Sequence, residues 1–113
     1  MRATDTRQVL DTRAGFSTLS DGPPVACDPV LRAALRQGAE DLGLSLTDLP
    51  SGAGHDAALM SRICPSAMIF VPCRAGKSHA PDEWSDRDQI AAGAAAIYQA
   101  VVALDRSLES QIR

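Results

Sequence analysis

The chain has 113 residues, 45% of them apolar and 22% charged, with a formal net charge of −3. That length supports one modest core and is short for a two-domain metalloenzyme, the apolar content argues against disorder, and the acidic balance argues against a broad basic surface for nucleic acid. The first residues are polar, with Asp5 among them and no apolar segment, so they do not read as a secretory leader, and no run is long enough to span a membrane. Cys27, Cys64 and Cys73 are odd in number and lack C-x-x-C spacing, which reads as reduced thiols in a cytoplasmic protein.

In chain order, residues 14–19 offer a short strand that Gly22, Pro23 and Pro24 soon interrupt. Asp28 is a suitable N-cap, Pro29 suits the first helical position, and Leu31, Ala34, Leu35, Ala39 and Leu42 recur at helical spacing until Gly43 supplies a left-handed stop. Residues 44–49 alternate apolar and polar, the period-two pattern of a half-buried strand, and lead into Pro50 and a glycine turn. Ala57, Met60, Ile63 and Cys64 share one face of a short helix that must end before Pro65. The continuous apolar run over residues 67–71 predicts a strand covered on both faces, closed by Pro72. Ser85 or Asp86 can cap a last helix carrying an apolar stripe of Ile90, Ala94, Ile97, Val101, Leu104 and Leu108. Alternating helices and strands predict an α/β fold, with both loops that follow the strands at strand ends, where such sheets place ligand sites.

Those two loops contain both histidines of the protein, His55 and His79. Histidine is a frequent metal ligand and the side chain that titrates nearest neutral pH, so its confinement to glycine- and proline-marked loops points to chemistry. Gly52 and Gly54 allow close backbone approach, and turn N–H groups leading into a helix attract a carboxylate; equally, the glycines make an ordinary tight turn and Asp56 caps the following helix. His79 suits a metal, with Glu83 four residues on, or Asp82, holding its second ring nitrogen; equally, His79 caps a helix start and Glu83 complements the helix dipole. Cys73, His55 and Asp56 do not suit a thiol triad, because adjacent His55 and Asp56 cannot readily form the linear relay such triads use.

Three blocks in order carry a resemblance: LPSGAGHDA over residues 49–57, MIFVP over 68–72 and GKSHAPDEW over 76–84. Together they resemble the C-terminal part of the metal-dependent amidohydrolases that include N-carbamoyl-L-amino-acid hydrolase, allantoate amidohydrolase and beta-ureidopropionase, within the zinc metallopeptidase superfamily. The similarity runs from about Pro23 through the last helix, and covers only about the last quarter of a family member.

The resemblance implies an α/β fold, the C-terminal portion of a zinc-peptidase-like catalytic domain with a mixed sheet and packed helices. It implies that His79 is a ligand to one of two divalent metals, zinc or manganese among them, with Glu83 supporting it. The turn of Gly52, Ala53, Gly54, His55 and Asp56 is implied to hold the polar end of an N-carbamoyl or ureido acid substrate. In the complete enzyme the paired metals share a water, and an upstream glutamate acts as general base. No catalytic residue of that kind matches a position in this chain.

Residues 1–113 are therefore expected to be one partial catalytic domain, without the N-terminal metal-binding part or the lid and dimerisation domain, and inactive alone. A separately encoded N-terminal half or a homodimer would be its partner, with no nucleic acid or membrane involved. The alternative expectation is a non-enzymatic module that binds a small carboxylate or docks with an N-terminal half. Cys73 and Lys77 depart from the small and apolar residues more usual at those positions.

Overall fold

The computed structural model describes residue 17 and residues 22–113. In order they form α1 (Pro29–Asp41), the short helix α2 (Asp56–Met60), a single 3-10 turn (Arg74–Gly76) and the long α3 (Arg87–Ile112). The strand expected over residues 14–19 lies outside the described residues apart from Ser17.

Helix α1 begins and ends where its local chemistry dictates. The Asp28 carboxylate accepts from the backbone N–H groups of Val30 and Leu31, both at 2.9 Å, and Pro29 occupies the first turn, where its missing N–H costs nothing. At the other end Gly43 has φ +71°, and two reversed bonds close the helix, Leu44 N–H to Ala39 C=O and Gly43 N–H to Glu40 C=O, both 2.9 Å. This is a Schellman arrangement, which satisfies carbonyls that a helix end otherwise leaves orphaned. Asp28→Ala is expected to lower stability by about 1 kcal/mol, the usual worth of an N-cap, read as a shift of the urea midpoint without a change of slope.

Helix α1 packs against α3. Among the described residues the fully buried apolar ones are Ala39, Ala96 and Ala100, and Gly38 and Gly93 are buried with them. The approach is close: a Cβ placed on Gly38 would lie 2.8 Å from the Ala96 carbonyl oxygen and 3.1 Å from the Ala100 nitrogen, both rigid helix backbone. A Cβ on Gly93 would meet Val71 Cγ1 at 2.6 Å, so the segment before Pro72 is also seated on α3.

The stripe anticipated on α3 is not the face that packs. Ile90, Ala94, Ile97, Val101 and Leu108 are exposed and Leu104 is half-buried, while α3 turns Ala96 and Ala100 toward α1 and Gly93 toward Val71. The physical reason is distance: helix backbones this close admit only side chains without bulk, so the contact falls on the small residues. Asp86 does sit at the N-cap of α3, yet its side chain does not cap. Its carboxylate accepts from the Trp84 indole N–H at 3.3 Å.

No strand is assigned among the described residues, so the mixed sheet expected from the sequence is not formed within them. Residues 44–49 and 67–71 run without helix and without a β ladder. A strand exists only with a partner to exchange N–H···O=C bonds, and apolar alternation cannot supply one. The segments are anchored by other means. Asp28 N–H donates to Ser66 C=O at 2.8 Å, and Asp48 takes ion pairs from Arg32 at 3.0 Å and Arg36 at 2.8 Å, tying residues 44–49 to α1. The hydrogen bond from Arg32, with the nearby charge of Arg36, holds the Asp48 carboxyl below its ordinary range. No helix among the described residues is long and apolar enough to cross a membrane.

Candidate functional site

The extended segments border an open cleft of about 1090 Å³. Pro24, Leu46, Met68 and Phe70 contribute to its walls, and the turn of Gly52, Ala53, Gly54 and His55 opens into it. Neither Gly52 nor Gly54 has positive φ, and a Cβ on either would meet nothing within 4 Å. The conformation of the described chain therefore does not itself require glycine at these positions. What glycine provides there is bare backbone facing open space, suited to the close approach of another group.

His55 is the residue before α2, with extended backbone at φ −136°, and its carbonyl accepts from Ala58 N–H at 2.9 Å. Its side chain makes no capping bond and is free for other work. The ring Nε2 lies 2.7 Å from Ser51 Oγ, and that oxygen also accepts from Ala53 N–H at 3.3 Å. Phe70 flanks the imidazole at 5.6 Å between centroids, tilted by 58°. Asp56, the first residue of α2, is exposed and does not serve as the N-cap, a place His55 holds through its backbone. Helix α2 is only five residues long and continues as irregular turns to Cys64, short of Pro65 as the sequence requires.

The second loop reaches the same place. His79 lies 6.0 Å from His55 between ring centroids, edge to face at 65°, so two loops far apart in sequence bring both histidines of the chain together. No α-helix starts at His79. Its backbone is left-handed at φ +57°, an uncommon conformation for a residue with a Cβ. Glu83 holds that conformation: its carboxylate accepts from the His79 backbone N–H at 2.9 Å, and its own N–H donates to Ala80 C=O at 3.0 Å, closing the turn. The carboxylate thus engages the main chain of His79, not its ring. Asp82 is paired with Lys77. Arg74 stacks 5.6 Å over the Trp84 ring, and its N–H donates to Trp84 C=O at 2.7 Å, which pins the base of the loop beside α3.

Among the described residues no three His, Cys, Asp or Glu side chains converge to hold a metal ion. The pair of imidazoles falls short of the three protein ligands that a catalytic zinc normally takes, so these residues do not form a metal centre by themselves. Sequence reasoning passed over Ser51 and Phe70 as neighbours of the site. Ser51 stands within the glycine motif and Phe70 near the end of the apolar run, but neither residue type carries a chemical signal on its own.

Residues 9–103 match Peptidase family M20/M25/M40. The chain is 40% identical over 83 residues to the N-carbamoyl-L-amino-acid amidohydrolase of Paenarthrobacter aurescens, covering 74% of this chain and 20% of that protein. It is 37% identical over 101 residues to the N-carbamoyl-L-amino acid amidohydrolase of Geobacillus stearothermophilus, covering 89% and 25%. With the allantoate amidohydrolase of Bacillus subtilis it shares 42% identity over 74 residues, covering 66% and 18%. The chain spans between 18% and 25% of the length of these three curated relatives. Since the matched stretch covers most of the chain and takes in both histidine loops, the chain belongs to peptidase family M20/M25/M40.

Proposed function

We propose that this chain is part of the catalytic domain of a divalent-metal-dependent, cytoplasmic hydrolase that cleaves C–N bonds in N-carbamoyl amino acids or related ureido acids. The observation that carries the reading is the approach of His55, which lines the cleft, and His79 to 6.0 Å from two separate loops. The names of the relatives supply the substrate class: two are N-carbamoyl-L-amino-acid amidohydrolases and one acts on allantoate.

Within this reading His79 contributes one ligand to a zinc or manganese site, and the remaining ligands come from polypeptide outside the described residues. Glu83 fixes the backbone from which that imidazole projects. The turn of Gly52, Ala53, Gly54, His55 and Asp56 receives the carboxylate end of the substrate, with bare glycine backbone for close approach and His55 for a polar contact. Residues 1–113 then act as one partial domain whose sheet is completed by strands from the rest of the enzyme, placed beside residues 44–49 and 67–71. An N-terminal half or a second copy is the partner that supplies what is lacking.

The test is complementation. The purified chain with Mn²⁺ or Zn²⁺ is expected to show no chelator-sensitive hydrolysis of N-carbamoyl-L-amino acids and only weak metal binding. Mixing it with the complementary N-terminal part of a related N-carbamoyl-L-amino-acid amidohydrolase is expected to restore turnover. Chelator-sensitive turnover by the chain alone would overturn the partial-domain reading. Carboxylate binding with no turnover in any mixture would replace it with a binding module.

A further inference from the structure

The contacts around His55 assign a role to a residue that the proposed function leaves out. We propose that Ser51 is a positioning residue: its hydroxyl holds Nε2 of His55 and so fixes which imidazole nitrogen meets the substrate. This rests on the reading of His55 as a substrate contact.

The geometry supports the assignment at each step. His55 is bound into the start of α2 by its backbone alone, through Ala58 N–H, so nothing in the helix cap restrains its ring. The ring is restrained by Ser51, 2.7 Å from Nε2, and by Phe70 and His79 at centroid distances of 5.6 and 6.0 Å. Ser51 is itself held, since its oxygen accepts from Ala53 N–H at 3.3 Å. A hydroxyl has one proton and two lone pairs; Ala53 occupies one lone pair, which leaves a donor and an acceptor for Nε2 in either tautomer. Nδ1 has no hydrogen-bond partner among the described residues and is the nitrogen left for a ligand.

The benefit is preorganisation. A partly exposed imidazole that samples several rotamers must lose that freedom when substrate binds, whereas one already fixed by a hydrogen bond has lost it beforehand. Ser51 does not touch the substrate in this scheme. It acts through His55, so its removal should weaken substrate capture and leave the chemical step alone.

The experiment has two parts. Long-range ¹H–¹⁵N spectra of the 113-residue chain, which has only two histidines, resolve the two ring nitrogens of His55, with His79→Ala giving the assignment. The Nε2 shift should be the same in the wild type and in Ser51→Thr, which keep the hydrogen bond, and should move in Ser51→Ala, which removes it. In the complemented enzyme Ser51→Ala should raise KM about three- to tenfold with kcat within about twofold, Ser51→Thr should restore KM, and Ser51→Ala should add nothing on a His55→Ala background. An unchanged Nε2 shift in Ser51→Ala overturns the proposal. So does an unchanged KM in Ser51→Ala while His55→Ala raises it, an outcome that leaves the His55 assignment standing. If His55→Ala itself leaves KM unchanged, both assignments fall together.

Discussion

His79→Ala in the complemented enzyme is expected to abolish turnover and to strip divalent metal, whereas His55→Ala should leave metal content intact and impair substrate use. The argument is one of ligand number. A catalytic metal is held by few protein groups, so losing one costs more affinity than the roughly 10- to 100-fold that follows from disturbing a supporting residue. On the proposed reading Glu83 is such a supporting residue, and its contact defines the smaller effect. Its carboxylate accepts from the His79 backbone N–H and stabilises a left-handed turn, so Glu83→Ala should loosen metal about tenfold. Glu83→Gln keeps an acceptor at that position and should do less harm. Metal analysis after gel filtration, beside steady-state kinetics, separates these cases. Metal lost in His55→Ala and retained in His79→Ala would show the two roles to be reversed.

Gly38→Val is expected to be the most damaging substitution outside the site. Even a Cβ at Gly38 would sit 2.8 Å from the Ala96 carbonyl oxygen and 3.1 Å from the Ala100 nitrogen, and these atoms belong to a helix that cannot yield locally. Valine adds two further methyl groups at the same point, so α1 and α3 must separate. Overpacking of this kind costs about 1–3 kcal/mol, and the upper end applies where the obstruction is backbone. The removal of glycine from a helix interior returns up to about 1 kcal/mol, which does not offset it. Thermal unfolding followed by circular dichroism measures the difference. A melting temperature equal to that of the wild type would show that the helices do not meet as described.

What could be read from the sequence depended on how local the cause was. The limits of α1 follow from Asp28, Pro29 and Gly43, whose effects reach only a turn of helix, and each does its anticipated job. The segments over 44–49 and 67–71 have strand-like patterns, but a ladder needs a neighbour, and pattern cannot report whether one is present. On α3 the period of the large apolar residues marks a hydrophobic face without saying which face meets α1, and the contact falls on Ala96 and Ala100. The site divides in the same way. His55 and His79 stand out in the sequence because histidine is rare here, while their meeting depends on tertiary structure. The partner of Glu83 was not legible, because whether a carboxylate reaches a ring or a main-chain N–H depends on the left-handed backbone at His79.

The helix contact of α1 and α3 has a thermodynamic consequence. Its buried apolar residues are alanines, and beside them lie glycines, so the helices gain close van der Waals approach and remove little hydrocarbon from water. Heat capacity and denaturant slope both follow the apolar surface released on unfolding. This helix pair should therefore open with a shallow transition for its length, like a hinge plate before its screws are driven. The larger reserve of stabilising surface lies a quarter turn around α3, where Ile90, Ile97, Val101 and Leu108 form a ridge about 27 Å long at 1.5 Å per residue. Covering that ridge would sharpen the transition and raise the heat-capacity increment, so calorimetry would register association as a change in the shape of the melt as well as in its midpoint.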